Sequence, residues 1–423
     1  MAGIAGRPLA GIKYFNGYNP PVFGVVQNDP IDLKRFFDLH SWQELKVQQV
    51  VHRVVLSCGL TYQKLYDCLG KYAVVVEKET IMAATVSREI RLKNRPVGLP
   101  SEHDFELVTV PIPAPSGGEV LVRNLYMSVD PYMRGRMTSQ PSYVEPFQLG
   151  QPLEGGCVGQ VVLSQRGTFH VGDYVLGRKG WREYYVSDGA DLTRIDPTLA
   201  PPQAYLGVLG MPGLTAYVGL LDIGRPEAGN TVFVSAAAGA VGSVVCQIAK
   251  RKGCRVVGSA GSADKVRWLR EVAGVDAAFN YKEVNSMTAE LGRHCPHGID
   301  VYFENVGGVH LEAALEHMKM RGRIVLCGMI SQYNDTAEPS GPRNLRLAVR
   351  KRLTLRGFIV SDHVDRQPQF YADIGAWIAD GKITWQETII DGIENAPKAF
   401  LGLFTGENTG KMLVRLGGEP SVR

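Results

Sequence analysis

The chain has 423 residues, of which 45% are hydrophobic and 21% charged, an ordinary globular balance long enough for two or three domains. Its net charge of +4 comes from 46 basic and 42 acidic residues, too balanced to imply nucleic acid or an anionic membrane as a partner. It has no uninterrupted apolar run of about 18 residues, so we expect no spanning helix, and no charged-then-apolar leader, so we expect no secretory signal.

Residues 1–81 differ in texture from the rest. Residues 1–30 carry many Gly, Pro and Asn and read as loop. Ser41-Trp42-Gln43-Glu44 fits a capping box, and Trp42, Leu45, Val50, Val51, Val54 and Val55 form an apolar stripe ending near Gly59. A second short helix is expected over 61–69 and a strand over 73–76. No motif for chemistry occurs here. Either this is an added helical segment packing on the main body, or it is an extension upstream of a functional start at Met82. We favour the second, because residues 82–423 make a complete unit.

From Arg88 to about Tyr205 the pattern is short strands broken by Gly and Pro. The clearest are Val120 to Leu125, Val158 to Leu163, Tyr174 to Gly177 and Tyr184 to Val186. Turns such as Glu154-Gly155-Gly156 and Val171-Gly172-Asp173 separate them. This predicts a partly closed β-barrel. Asp130 to Gly135 reads as a turn within it, whose Tyr132 and Met133 fit a core role as well as any other.

From Gly207 onward, helices and strands alternate. Strands are expected near 231–235, 255–259, 277–280, 300–303, 323–327 and 353–359. Six parallel strands complete a doubly wound sheet. A helix follows near 368–380, and a strand at 411–416 should return to the barrel. The barrel would then be discontinuous, with substrate in the cleft between the two parts.

The first strand of this sheet carries the strongest local signal. Thr231 to Ser235 is followed by Ala236 to Ala238, then Gly239 and Gly242, then Val244, Val245, Ile248 and Ala249 at helical spacing up to Gly253. The pattern is A-x-G-x-x-G, with Ala237 at its first position, and the helix is expected to start near Gly239. A pyrophosphate must approach backbone N–H groups at a helix N-terminus, and a Cβ on the turn would obstruct it. Gly239 clears that approach, and Gly242 allows close packing of helix on strand. The alternative is a small-residue turn that holds no ligand.

The end of the second strand selects the cofactor. An NAD site places a carboxylate there for the ribose 2′-hydroxyl. Here the residues are Gly258-Ser259-Ala260-Gly261-Ser262, followed by Lys265. Hydroxyls and an ammonium suit a 2′-phosphate, with Arg255 and Lys252 adding basic charge, so we expect NADP(H). The alternative for Lys265 is a solvated helix charge. Asp264 falls in the first turn of the next helix, where capping explains it.

The seven cysteines, Cys58, Cys68, Cys157, Cys246, Cys254, Cys295 and Cys327, include no C-x-x-C pair. This suits reduced thiols in a cytosolic enzyme and speaks against both a disulfide framework and a zinc knuckle. No G-x-S-x-G occurs, so a serine hydrolase has no support.

Five motifs in order carry a resemblance: Arg123 to Met137 (RNLYMSVDPYMRGRM), Ala236 to Ser243 (AAAGAVGS), Phe279 to Lys282 (FNYK), Glu304 to Gly308 (ENVGG) and Cys327 to Asn334 (CGMISQYN). They resemble the zinc-independent branch of the medium-chain dehydrogenase/reductase superfamily, and within it the prostaglandin reductase, alkenal double-bond reductase and curcumin reductase group. The resemblance covers residue 82 to about residue 417. It implies an α/β fold: a doubly wound Rossmann sheet over 206–366 and a discontinuous GroES-like β-barrel over 82–205 and 367–423, with 1–81 as an extension. It implies a cytoplasmic homodimer that uses NADPH to reduce the C=C bond of α,β-unsaturated ketones and aldehydes.

The same resemblance assigns residues. Gly239, Ala240, Val241 and Gly242 would hold the pyrophosphate, and Lys265 and Tyr281 the adenosine phosphate end. Asn305, the loop Cys327, Gly328, Met329, Ile330, Ser331, Gln332 and Tyr333, then Phe358, Ile359 and Val360, and finally Asn408, would line the cofactor. Zinc-containing relatives carry Cys and Gly-His-Glu where this chain has Ser128–Asp130 and Pro152-Leu153-Glu154, so no metal is expected. Without a metal, a hydrogen-bond donor must stabilise the enolate, and Tyr333 is the candidate, alone or with the cofactor's ribose 2′-hydroxyl. A tyrosine that simply packs on the cofactor is the plainer alternative. Tyr132 and Tyr143 are candidates for the substrate wall. Quinone reduction on the same fold and a catalytically silent NADPH-binding protein remain open alternatives.

Overall fold

The computed structural model describes residues 86–338 and 340–417. The helices and strand expected within 1–81, and the start at Met82, lie outside them.

The chain enters as an antiparallel pair, β1 (Val86–Leu92) and β2 (Phe105–Pro111). Five strands of a larger sheet follow: β3 (Val120–Ser128), β4 (Cys157–Ser164), β5 (Tyr174–Gly177), β6 (Tyr184–Ser187) and β7 (Thr193–Arg194). β3 is buried almost throughout because it pairs with β4 and β6 and, at its far end, with a strand from the C-terminus. Leu92, Val120, Val122, Met127, Leu153 and Val161 share its core with Trp181. Trp181 stacks on Phe105 at 6.0 Å and meets Phe400 edge-on at 6.2 Å.

The second sheet comprises β8 (Thr231–Val234), β9 (Arg255–Ala260), β10 (Ala277–Asn280), β11 (Ile299–Glu304), β12 (Met318–Leu326) and β13 (Thr354–Gly357). All its pairings are parallel, in the order β10-β9-β8-β11-β12-β13. Helices cover both faces, so the strands are continuous apolar runs such as Val301-Tyr302-Phe303. Each such buried side chain stabilises the fold by about 1.5–3 kcal/mol relative to exposure. The winding direction reverses between β8 and β11, which opens a crevice at their carboxyl ends.

The chain then returns. β14 (Glu387–Asp391) and β15 (Lys411–Arg415) join the first sheet, β15 pairing with β3, and the helix Ala396–Thr405 places Phe400 in the barrel core. The barrel is therefore built from both ends of the described chain.

Two local expectations need correction. The helix after the glycine turn begins at Gly242, not near Gly239. Ala236 takes a left-handed φ of 48°, and residues 236–241 form a turn closed by Gly239 N–H donating to Ala236 O at 2.9 Å. The fifth strand starts at Met318 rather than 323 and stops before Cys327, because its pairing with β11 resumes after a register shift between Ile299 and Val301.

Candidate active site

At the carboxyl end of β8 the turn is fixed from behind. Ala237 N–H donates to Ser259 O of β9 at 2.9 Å, and a Cβ on Gly258 would come within 2.8 Å of the Ala237 Cβ. Alanine fits the first position of the turn because glycine stands opposite it. A Cβ on Gly242 would come within 2.9 Å of Ala237 Cα, so Gly242 packs the helix onto the turn. A Cβ on Gly239 would meet only Ala236 O, at 3.1 Å. Ala240 and Val241 complete the turn, part-exposed above the helix start, where backbone N–H groups lack intrahelical acceptors.

The end of β9 differs in part from expectation. Ser259 is fully buried, and Ser262 caps the helix Ala263–Glu271, its Oγ accepting from Lys265 N–H at 3.4 Å. Arg255 opens β9 and Lys252 ends the preceding helix, so both lie at the strand's amino end, away from the crevice. Lys265 does reach the carboxyl end. Its Nζ donates to Gly406 O at 2.6 Å, just past the helix Ala396–Thr405, and Lys282 reaches Thr405 O at 3.4 Å. Burial and the charge of Lys282 hold the Lys265 ammonium below its usual range. The Tyr281 hydroxyl lies over Gly261, whose Cβ would be 3.2 Å from it, and the Tyr281 ring meets His310 edge-on at 4.9 Å.

Asn305 is tied across the switch point. Its N–H donates to Ser235 Oγ at 2.9 Å and its Nδ2 to Ser235 O at 2.8 Å. Ser235 Oγ in turn donates to Glu304 Oε1 at 2.9 Å. Glu304 is fully buried, and burial raises its carboxyl above the usual range.

The Cys327–Tyr333 loop is stitched to this segment. Cys327 and Gly328 N–H donate to Glu304 O, Ile330 N–H to Asn305 O, and Ser331 to Val306 O through both N–H and Oγ. Tyr333 follows the short turn Ile330–Gln332, which Gln332 ends, and folds back so that its hydroxyl accepts from Met329 N–H at 3.2 Å. A Cβ on Gly328 would lie 3.0 Å from that hydroxyl, so glycine there permits the approach. Burial raises the Tyr333 pKa, with Cys327, Tyr143 and Glu304 adding to it. Burial also pushes the Cys327 thiol up to about 12.

Phe358, Ile359 and Val360 follow β13, part-buried, with Phe358 packed against the main core. Asn408 comes from the returning chain. Its Nδ2 donates to Gly410 O at 2.7 Å, and Gly410 N–H donates to Ala238 O of the glycine turn at 2.8 Å. Tyr132 is part-buried and its phenol is raised by burial beside Asp130. Tyr143 is 62% exposed.

Three groups at the site lay beyond the sequence reading. Lys411 and Asp130 form a buried pair, Nζ to Oδ1 at 3.0 Å, with Nζ also donating to Val129 O and Met412 O. Ser128 Oγ donates to Asp130 Oδ2 as well. Lys282 joins Lys265, and Arg134 reaches Asn334. Sequence offered only their positions inside the DPYMRG, FNYK and NTGK strings.

A family model described as the N-terminal domain of oxidoreductase matches residues 88–195, and one described as zinc-binding dehydrogenase matches 240–378. A putative NADP-dependent oxidoreductase of Bacillus subtilis is 49% identical, covering 79% of this chain and 98% of that protein. A 2-alkenal reductase (NADP(+)-dependent) of Nicotiana tabacum is 46% identical, covering 80% and 100%. CurA of Vibrio vulnificus, solved in complex with NADPH, is 44% identical with a TM-score of 0.75, over 78% of this chain and 99% of that one. Fold and relatives together define an oxidoreductase built from a barrel and a doubly wound sheet. The chain belongs to the medium-chain dehydrogenase/reductase superfamily, in its group of prostaglandin, alkenal and curcumin reductases.

The zinc in one family description finds no fitting donors here. Leu153 is fully buried in the barrel core, Glu154 accepts from Arg136 at 3.1 Å, and Ser128 is bound to Asp130. Among the described residues no group of three or more His, Cys, Asp or Glu side chains is arranged to hold a metal.

Proposed function

We propose that this chain uses NADPH to reduce the carbon–carbon double bond of α,β-unsaturated aldehydes and ketones, without a metal. The names of the alkenal, curcumin and prostaglandin reductases among its relatives, and the NADPH in the CurA structure, support the reaction and the cofactor. The observation that carries the chemistry is the Tyr333 hydroxyl. Its lone pair takes the Met329 N–H, so its own proton is available to an oxygen in the crevice.

The cradle at Gly239–Gly242 would seat the pyrophosphate on backbone N–H groups. Lys265 and Tyr281 would hold the 2′-phosphate end, Lys265 having donors beyond the one given to Gly406 O. Asn305, the Cys327–Tyr333 loop, Phe358–Val360 and Asn408 would line the remainder. NADPH supplies the hydride when bound. As the β-carbon is reduced, charge gathers on the substrate's carbonyl oxygen, and Tyr333 Oη–H donates to it. The α-carbon of the enolate then takes a proton from solvent to complete the saturated product. One such donor is worth about 2.7–4 kcal/mol in a water-poor site. Tyr132 and Tyr143, on the barrel side, would form the substrate wall, with the division between the two halves near residues 206 and 367.

A cytoplasmic homodimer completes the proposal. β13 is a sheet edge, and Val349 and Leu345 beside it are 82% and 47% exposed, a face suited to a second copy. The five described cysteines are free thiols, as a reducing compartment allows. Among the described residues no helix is long and apolar enough to cross a membrane.

The test is NADPH oxidation with alkenals, cyclic enones, polyphenol enones and quinones, with and without a chelator. Turnover of enones that the chelator leaves unchanged is expected. Turnover of quinones alone, or loss of activity with chelator, would contradict the proposal.

A further inference from the structure

Arg134 stands in the Asp130–Gly135 turn, inside the RNLYMSVDPYMRGRM string, where its residue type alone carries no assignment. It is 4% exposed, and its guanidinium has no carboxylate within ion-pair distance among the described residues. It donates instead to three neutral oxygens. Nη2 reaches Pro96 O at 3.2 Å and Gly98 O at 2.9 Å, and Nε reaches Asn334 Oδ1 at 3.0 Å. Nη1 is buried without a partner.

These contacts join three separated segments. Asn334 follows Tyr333 directly and lies 200 residues from Arg134 in sequence. The 96–98 segment meets the same loop, since a Cβ on Gly98 would be 3.4 Å from Thr336 Cγ2 and 3.8 Å from Asn334 O. The barrel side thus holds the Tyr333 loop through one planar side chain.

For stability alone this is a poor choice. Burial pulls the guanidinium below its usual range, outweighing the attraction of Asp104, which acts only from beyond ion-pair distance. A buried cation so weakly compensated is costly, and a well-packed apolar side chain of similar volume would be cheaper. What the guanidinium adds is geometry: donors in a rigid plane that can fix several carbonyls at set angles. Lysine has no such plane.

We propose that Arg134 is a positioning residue for the reduction, acting through Asn334 to hold the Tyr333 loop against the barrel so that the phenol meets the substrate carbonyl. The proposal rests on the assignment of Tyr333 as hydrogen-bond donor. Arg134 is buried and gives its hydrogen bonds to protein oxygens, so its assigned action is through the loop.

The test is a double-mutant cycle on the full chain, with NADPH and an alkenal. Arg134→Met also frees the 96–98 carbonyls and can fail to fold, so Asn334→Ala is the primary variant. For Asn334→Ala, kcat should fall roughly 10- to 100-fold, as expected when a reacting group shifts by about 1 Å. NADPH affinity, measured by protein fluorescence, and melting temperature should stay near wild type. Asn334→Asp keeps the acceptor and should retain activity, whereas Arg134→Lys should not. The Arg134→Met/Asn334→Ala double variant should be no slower than Arg134→Met alone. Wild-type kcat in Asn334→Ala, or multiplicative losses in the double variant, would overturn the latch. Tyr333→Phe at the wild-type rate would instead remove Tyr333 from the chemistry, and the cycle decides the latch separately.

Discussion

The two sides of the crevice are built by different means. The nucleotide side is backbone geometry: a strand end, a turn with Ala237 against Gly258, and a helix that starts at Gly242. The barrel side is a set of buried charged side chains reaching across long stretches of chain, Lys411 to Asp130 and Arg134 to Asn334. Backbone cradles recognise what every dinucleotide shares. Side-chain struts can set the position of one donor relative to one substrate.

This contrast can be broken at several points. The largest effect should come from Lys411→Met, which leaves Asp130 buried without its cation. Loss of one partner of such a pair costs about 3–5 kcal/mol, read by urea unfolding, and adding Asp130→Asn should recover part of it. Unchanged stability in the single variant would mean that the barrel side does not depend on its buried charges.

Gly242→Val comes next. Its side chain would collide with Ala236 O and Ala237 Cα, and overpacking of this kind costs about 1–3 kcal/mol. NADPH affinity should fall with it, while the barrel-side variants should leave that affinity alone. Lys265→Ala should be the mildest. It should raise the KM for NADPH roughly tenfold or more, as expected for one charge-assisted hydrogen bond, and leave the KM for NADH nearly unchanged. Equal effects on both cofactors would place the 2′-phosphate elsewhere.

The same contrast explains what the sequence could reveal. The alternation of strand and helix follows from local periodicity and was legible, as was a strand at 411–416, which the structure shows over Lys411–Arg415 beside β3. The helix start was missed by three residues because the left-handed Ala236 extends the turn, and alanine gives no sign of that conformation. Arg255 and Lys252 looked close to the phosphate site in sequence, yet a strand carries them to the opposite end of the sheet. Arg134 carries no local sign of its role because its partner Asn334 is 200 residues away. Long-range side-chain partners leave no local periodicity to read. Lys265 was legible as a cation near the second strand, but its contact with Gly406 O required the fold.

The most direct measurement of the central claim is the kcat of Tyr333→Phe with NADPH and an alkenal. Removing one oxyanion donor should lower kcat roughly 100-fold, with the KM for NADPH unchanged. The wild-type rate carries its own check. Burial raises the Tyr333 pKa above the usual value of about 10, so the phenol keeps its proton through neutral and mildly alkaline pH and loses it only as pH rises beyond that range. Any decline in kcat caused by Tyr333 should therefore appear only at strongly alkaline pH and vanish in the phenylalanine variant. A Tyr333→Phe enzyme with wild-type kcat would contradict the account.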